Sequence, residues 1–98
     1  MKSAMEETKE FISDGYLDEV ERRCNAAAPM PWVSYVEGRD HQSGSNFIMI
    51  GEGENRREDI ELIGASVADQ DFIAKARQDI PQLIEAIRFL KKSISGVD

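Results

Sequence analysis

Apolar positions recur along this chain at two spacings, and each predicts an element. Leu17, Val20, Cys24 and Ala27 repeat at steps of three and four, one stripe of an amphipathic helix over residues 16–27. Ser13 stands where its side chain can accept an orphan N–H, and Asp14 places negative charge in the first turn. Ile12 and Leu17 flank that cap as a hydrophobic staple. Pro29 and Pro31 end the helix, because neither can donate and each restrains the residue before it. Trp32 is expected to anchor the turn by burying its ring.

From Trp32 the period shortens to two. Residues 32–37 read as a strand with Trp32, Ser34 and Val36 on one face and Val33 and Tyr35 on the other. A polar loop over residues 38–45 leads to a second strand, Asn46 to Ile50, whose Phe47-Ile-Met-Ile50 run is apolar on both faces. Turn residues over 51–55 precede a third strand, Asp59 to Ile63. Short connections favour an antiparallel meander.

After Gly64 the period lengthens again. Ser66 or Asp69 starts a helix carrying Phe72, Ile73 and Ala76, and Pro81 is expected to interrupt it. A last helix from Pro81 to Ser95 carries Ile80, Leu83, Ile84, Ile87, Leu90 and Ile94 as one stripe, with Gly96 placed to end it. Burying those six side chains would contribute on the order of 10 kcal/mol before entropy is subtracted.

The predicted fold is therefore α+β: an N-terminal helix, a three-stranded antiparallel meander and two C-terminal helices packed on one face of the sheet. It forms a single domain over 13–98, preceded by a flexible arm over 1–12 in which Ser3 and Glu6 could cap a short turn. The far face of the sheet is left without cover, and Val33, Tyr35, Ile48 and Ile50 are its expected oligomer interface.

Composition narrows the function classes. At 98 residues, 41% apolar and 32% charged, the chain suits one folded domain rather than a disordered one. A net charge of −7 disfavours direct binding to nucleic acid or anionic membrane. No apolar run is long enough to span a bilayer, and the opening Met-Lys-Ser-Ala-Met-Glu-Glu breaks into acid before a secretory core can form, so a cytoplasmic setting is expected. One cysteine and one histidine leave no internal disulfide and no four-ligand zinc site. No metal or cofactor is expected.

Candidate chemistry is sparse. Asp40, His41, Ser43 and Ser45 lie in one loop, whereas a catalytic triad needs a nucleophile, base and orienting acid converging from a rigid scaffold. Gly51-x-Gly53 is followed by a strand rather than the helix that a phosphate loop requires. The acids lie on exposed faces without apolar surroundings. No catalytic residue is assigned and an enzyme is not expected. Tyr35, Arg39, His41, Arg56 and Arg57 could together surround a small anionic ligand such as a nucleotide.

Two segments carry a resemblance. Glu21-Arg-Arg-Cys-Asn-Ala-Ala-Ala-Pro-Met-Pro-Trp32 and the stretch from Ala68 to Lys91, which contains Asp71-Phe-Ile-Ala-Lys-Ala-Arg-Gln-Asp-Ile-Pro-Gln-Leu-Ile84, resemble the opening and closing parts of small bacterial and phage proteins similar to the ead-like early-region family of lambdoid phages. The likeness spans Leu17 to Lys92 and departs from the pattern at Ala28 and Met30. It implies no catalytic residue. The expected function is a non-enzymatic accessory or binding protein that acts as a homo-oligomer, with a host protein as possible partner; the alternative is sequestration of a small anion by the loop arginines.

Overall fold

The computed structural model describes residues 4–95. Its elements are α1 (Ala4–Phe11), α2 (Asp14–Ala26), β1 (Trp32–Tyr35), β2 (Phe47–Ile50), a 3-10 turn over Gly53–Asn55 and α3 (Val67–Ser95). They form two compact units. One holds α1, α2 and α3 from Pro81 onward; the other holds residues 27–80. Ser3 and Gly96, expected as caps, lie outside the described residues.

In the first unit α2 begins as its cap predicts. The Tyr16 N–H donates to Ser13 Oγ at 3.2 Å, and the Leu17 N–H donates to the Ser13 carbonyl at 3.0 Å. Leu17 and Ile84 are buried, while Val20, Cys24 and Ile87 are half-buried. Charged pairs tie α2 to α3. Arg88 donates to Glu21 at 3.0 Å and to Asp18 at 2.8 Å, and Lys91 Nζ reaches Asp14 at 2.6 Å.

In the second unit β1 and β2 pair antiparallel, with Trp32 opposite Ile50, Ser34 opposite Ile48 and Tyr35 opposite Phe47. Directly opposed residues share a face. The core face therefore holds Ile48 and Ile50, which join Ala74 of α3 under Ala28, Trp32, Ile60 and Leu62. Trp32 is half-buried against this cluster, and its Nε1–H donates to the Ala28 carbonyl at 3.2 Å.

The expected third strand is reduced to a single bridge. Ile60 exchanges backbone hydrogen bonds with Ile48 at 2.8 and 2.9 Å, but its neighbours do not extend the ladder. Glu58, Asp59 and Glu61 surround Ile60, and acidic residues are poor strand formers. The sheet accordingly has two strands, and β1 keeps one open edge.

The two expected C-terminal helices are one, 29 residues long, with Pro81 inside it. It starts at a reciprocal cap: the Asp69 N–H donates to Ser66 Oγ and the Ser66 N–H to Asp69 Oδ2, both at 3.0 Å. Pro81 forgoes only the one bond its N–H would make to the carbonyl four residues earlier. The strong helix formers that flank it carry the helix through.

Within the second unit, the α3 residues that meet the sheet are Gln70, Ala74 and Gln78. Buried Gln70 donates through Nε2 to Ser34 Oγ at 2.9 Å and to the carbonyls of Tyr35 and Phe47 at 3.2 Å, so one amide joins both strands.

Candidate interaction surface

Of the residues proposed to hold an anion, the structure brings Tyr35 and His41 together. Tyr35 stacks on Phe47 with ring centroids 5.4 Å apart, and the His41 ring lies 5.1 Å from Phe47 and 6.3 Å from Tyr35. The His41 Nδ1 accepts the Ser43 N–H at 2.9 Å and lies 2.6 Å from Ser43 Oγ. Asp40 is bound to other groups. Its carboxylate accepts the Val36 N–H at 2.8 Å and the Arg39 Nε–H at 2.9 Å. Ser43, His41 and Asp40 thus form no relay.

The arginines are engaged with acids or backbone of their own chain. Arg39 donates in a fork to Asp71 at 2.8 and 3.0 Å, besides its bond to Asp40. That fork, helped by a hydrogen bond from Ser34, holds the Asp71 carboxyl down to about 2, while the carboxylates push the Arg39 pKa up. Arg56 pairs with Asp59 at 3.0 Å, and Arg57 donates to the Asn55 carbonyl at 3.4 Å. Tyr35, Arg39, His41, Arg56 and Arg57 thus form no convergent set of uncommitted cations for a phosphate.

The expected sheet interface also changes. Ile48 and Ile50 are core residues, 0% and 1% exposed, and cannot meet a partner. The register sets Phe47 and Met49, not those two, beside Tyr35 and Val33 on the far face. All four are half-buried, and His41 folds over the Phe47 end. The alternation along Phe47–Ile50 was clear, but which pair faced inward depended on the register.

Most of the large exposed apolar residues lie on α3, with Phe11, Tyr16, Met30 and Ile63 exposed elsewhere. Of the six residues in its expected stripe, only Ile84 is buried; Ile80, Leu83, Leu90 and Ile94 are 39%, 60%, 57% and 83% exposed. Ile73, upstream in the second unit, is 37% exposed. The cause is an inversion of the usual amphipathic arrangement. Arg88 and Lys91 are committed to α2 by ion pairs and Ile84 is the buried residue beside them, so the richest apolar stripe is turned outward. Much of the roughly 10 kcal/mol available from that stripe is therefore not realised within one chain.

A signal for this surface was present in the sequence. Ile73, Ala76, Ile80, Leu83, Ile87, Leu90 and Ile94 repeat at alternating steps of three and four, a strict heptad pattern. Treating Pro81 as a break divides that pattern into two short stripes and hides it.

Among the described residues no helix is long and apolar enough to cross a membrane, and no group of three or more His, Cys, Asp or Glu side chains could hold a metal ion. No protein family, curated protein or solved structure matches the chain.

Proposed function

We propose that this chain is a small non-enzymatic binding protein that works as a homo-oligomer, and that it associates through the outward face of α3 rather than through its sheet. The observation that carries the reading is the exposure of Leu83, Leu90 and Ile94 on one helix face. Large contiguous apolar surface on a small domain marks an interaction site. Paired arginines and the lack of a relay around His41 favour this reading over anion capture or catalysis. The likeness of the two end segments to ead-like early-region proteins suggests an accessory role in a phage or mobile element.

Sedimentation velocity across a wide concentration range tests the proposal. The wild-type chain is expected to sediment above its single-chain mass, and the Leu83→Glu/Leu90→Glu variant as one chain with the ion pairs of Arg88 retained. Phe89→Glu, on an exposed residue off the heptad positions, is expected to leave association intact. A wild-type protein that stays a single chain throughout would overturn the reading.

A further inference from the structure

We infer that the second unit holds a binding site for a small molecule carrying both a carboxamide and an anionic group, the carboxamide on the backbone of Ser34 and the anion on Lys75. The site does not depend on how chains associate, because all its walls belong to residues 27–80. Ile48 gives both its N–H and its carbonyl to Ile60, so neither faces Ser34, which stands opposite it in the ladder. In an antiparallel pair such a residue turns its own N–H and C=O to the other side. For Ser34 that side is the open edge of β1.

Both neighbours along that edge are already served. The Gln78 carboxamide brackets Trp32 at 2.8 and 3.1 Å. The Val36 N–H donates to Asp40 Oδ2 at 2.8 Å, and the Val36 carbonyl accepts from the N–H groups of Arg39 and Asp40. Between them, the N–H and C=O of Ser34 have no protein partner among the described residues. Blocked on either side, the edge cannot take an added strand, which would need Trp32, Ser34 and Val36 together. One donor and one acceptor are left, and Gln78 shows on Trp32 which group fits such a pair. It is a carboxamide, whose NH2 donates while its oxygen accepts.

The surroundings call for the anion. Trp32, Ser34 and Gln78 line a cleft of about 450 Å³ together with Arg39, Asp71 and Lys75, a size that suits a small ligand. Arg39 and Asp71 are spent on each other through their fork. The Ser34 hydroxyl accepts from Gln70 at 2.9 Å. Lys75 makes no hydrogen bond or ion pair among the described residues and acts on Asp71 only through its field. It is the lining charge left to hold a ligand, and an anionic group would gain a charge-assisted hydrogen bond from it.

Amide NMR of the full chain tests the site. Isotope-labelled protein is titrated with glutaramate, which joins a carboxamide to a carboxylate. Parallel titrations use glutarate, which lacks the carboxamide, and glutaramide, which lacks the charge. Glutaramate is expected to move the Ser34 amide proton downfield and saturably, with a Kd about tenfold below that of either comparator. Lys75→Met should raise that Kd about tenfold. Lys9→Met, an equal loss of charge on an exposed residue of the first unit, should leave it unchanged. A Ser34 signal that all three probes leave in place overturns the site. Glutarate binding as tightly as glutaramate overturns the carboxamide assignment. Glutaramide binding as tightly, or a Lys75→Met variant with unchanged Kd, overturns the role of Lys75.

Discussion

The side-chain amide of Gln78 brackets the backbone of Trp32: its Oε1 accepts the Trp32 N–H at 2.8 Å and its Nε2 donates to the Trp32 carbonyl at 3.1 Å. β1 has a strand partner on one side only, so the outward N–H and C=O of Trp32 need satisfying by something else. An amide is a side chain with both a donor and an acceptor, and Gln78 does for this residue what a third strand would do.

Replacing Gln78 by Leu keeps the volume and removes both bonds. The variant is expected to lose about 2 kcal/mol or more, because two half-buried backbone groups lose their partners. Gln78→Glu still accepts from the N–H but sets a carboxylate against the Trp32 carbonyl, so it is also expected to destabilise. Urea unfolding followed by the fluorescence of Trp32, the only tryptophan, measures both.

Acid should weaken the second unit through Asp71. Its carboxyl lies at about 2 rather than the ordinary 3.8, chiefly because of the hydrogen bonds from Arg39, with Ser34 adding to them. The folded value is below the unfolded one, so the stabilisation is complete above about pH 4 and is lost as pH falls toward 2. Asp14, held low by Lys91, acts with the same sign in the first unit. Arg39→Gln should bring the Asp71 titration back toward 3.8, seen in its carboxyl carbon shift by NMR. An unchanged titration would show that the fork does not persist in solution.

Gly51 is a position where no side chain fits. Its φ is +68°, and a Cβ there would lie 2.2 Å from the Asn55 carbonyl oxygen, which belongs to the backbone and cannot step aside. Gly51→Ala is expected to cost roughly 2–4 kcal/mol from left-handed strain and crowding together. Gly53→Ala, also at positive φ but with open space around it, should cost less. Thermal melts of the pair compare the two directly.

The reciprocal cap at the start of α3 is expected to behave as one unit. Ser66→Ala and Asp69→Ala should each cost about 1 kcal/mol, and the double variant less than their sum, since either change alone breaks the mutual closure. Strict additivity in chemical denaturation would argue against a closed box.

What could be read from the sequence is what local rules decide. The Ser13 cap of α2, the stop imposed by Pro29 and Pro31, the alternation in β1 and β2 and the start of a helix at Ser66 or Asp69 each depend on residues within a few positions of one another. The third strand was expected from Ile60 and Leu62, yet the acids around them allow only one bridge. Pro81 was weighed as a local breaker, although one missing hydrogen bond does not end a helix whose other turns are strongly favoured.

The orientation of α3 was beyond such rules. Hydrophobicity alone would turn its isoleucines and leucines inward, but the open edge of β1 presents the backbone groups of Trp32, which Gln78, 46 residues away in sequence, reaches and satisfies. Near Pro81 and beyond, Arg88 and Lys91 find their acids on α2 some 70 residues earlier. The sequence by itself determined α2, β1, β2 and the heptad spacing, because these arise between neighbours. Tertiary structure alone decided which residues of α3 are buried in each unit and which stay exposed, because unpaired backbone groups and long-range ion pairs set that choice.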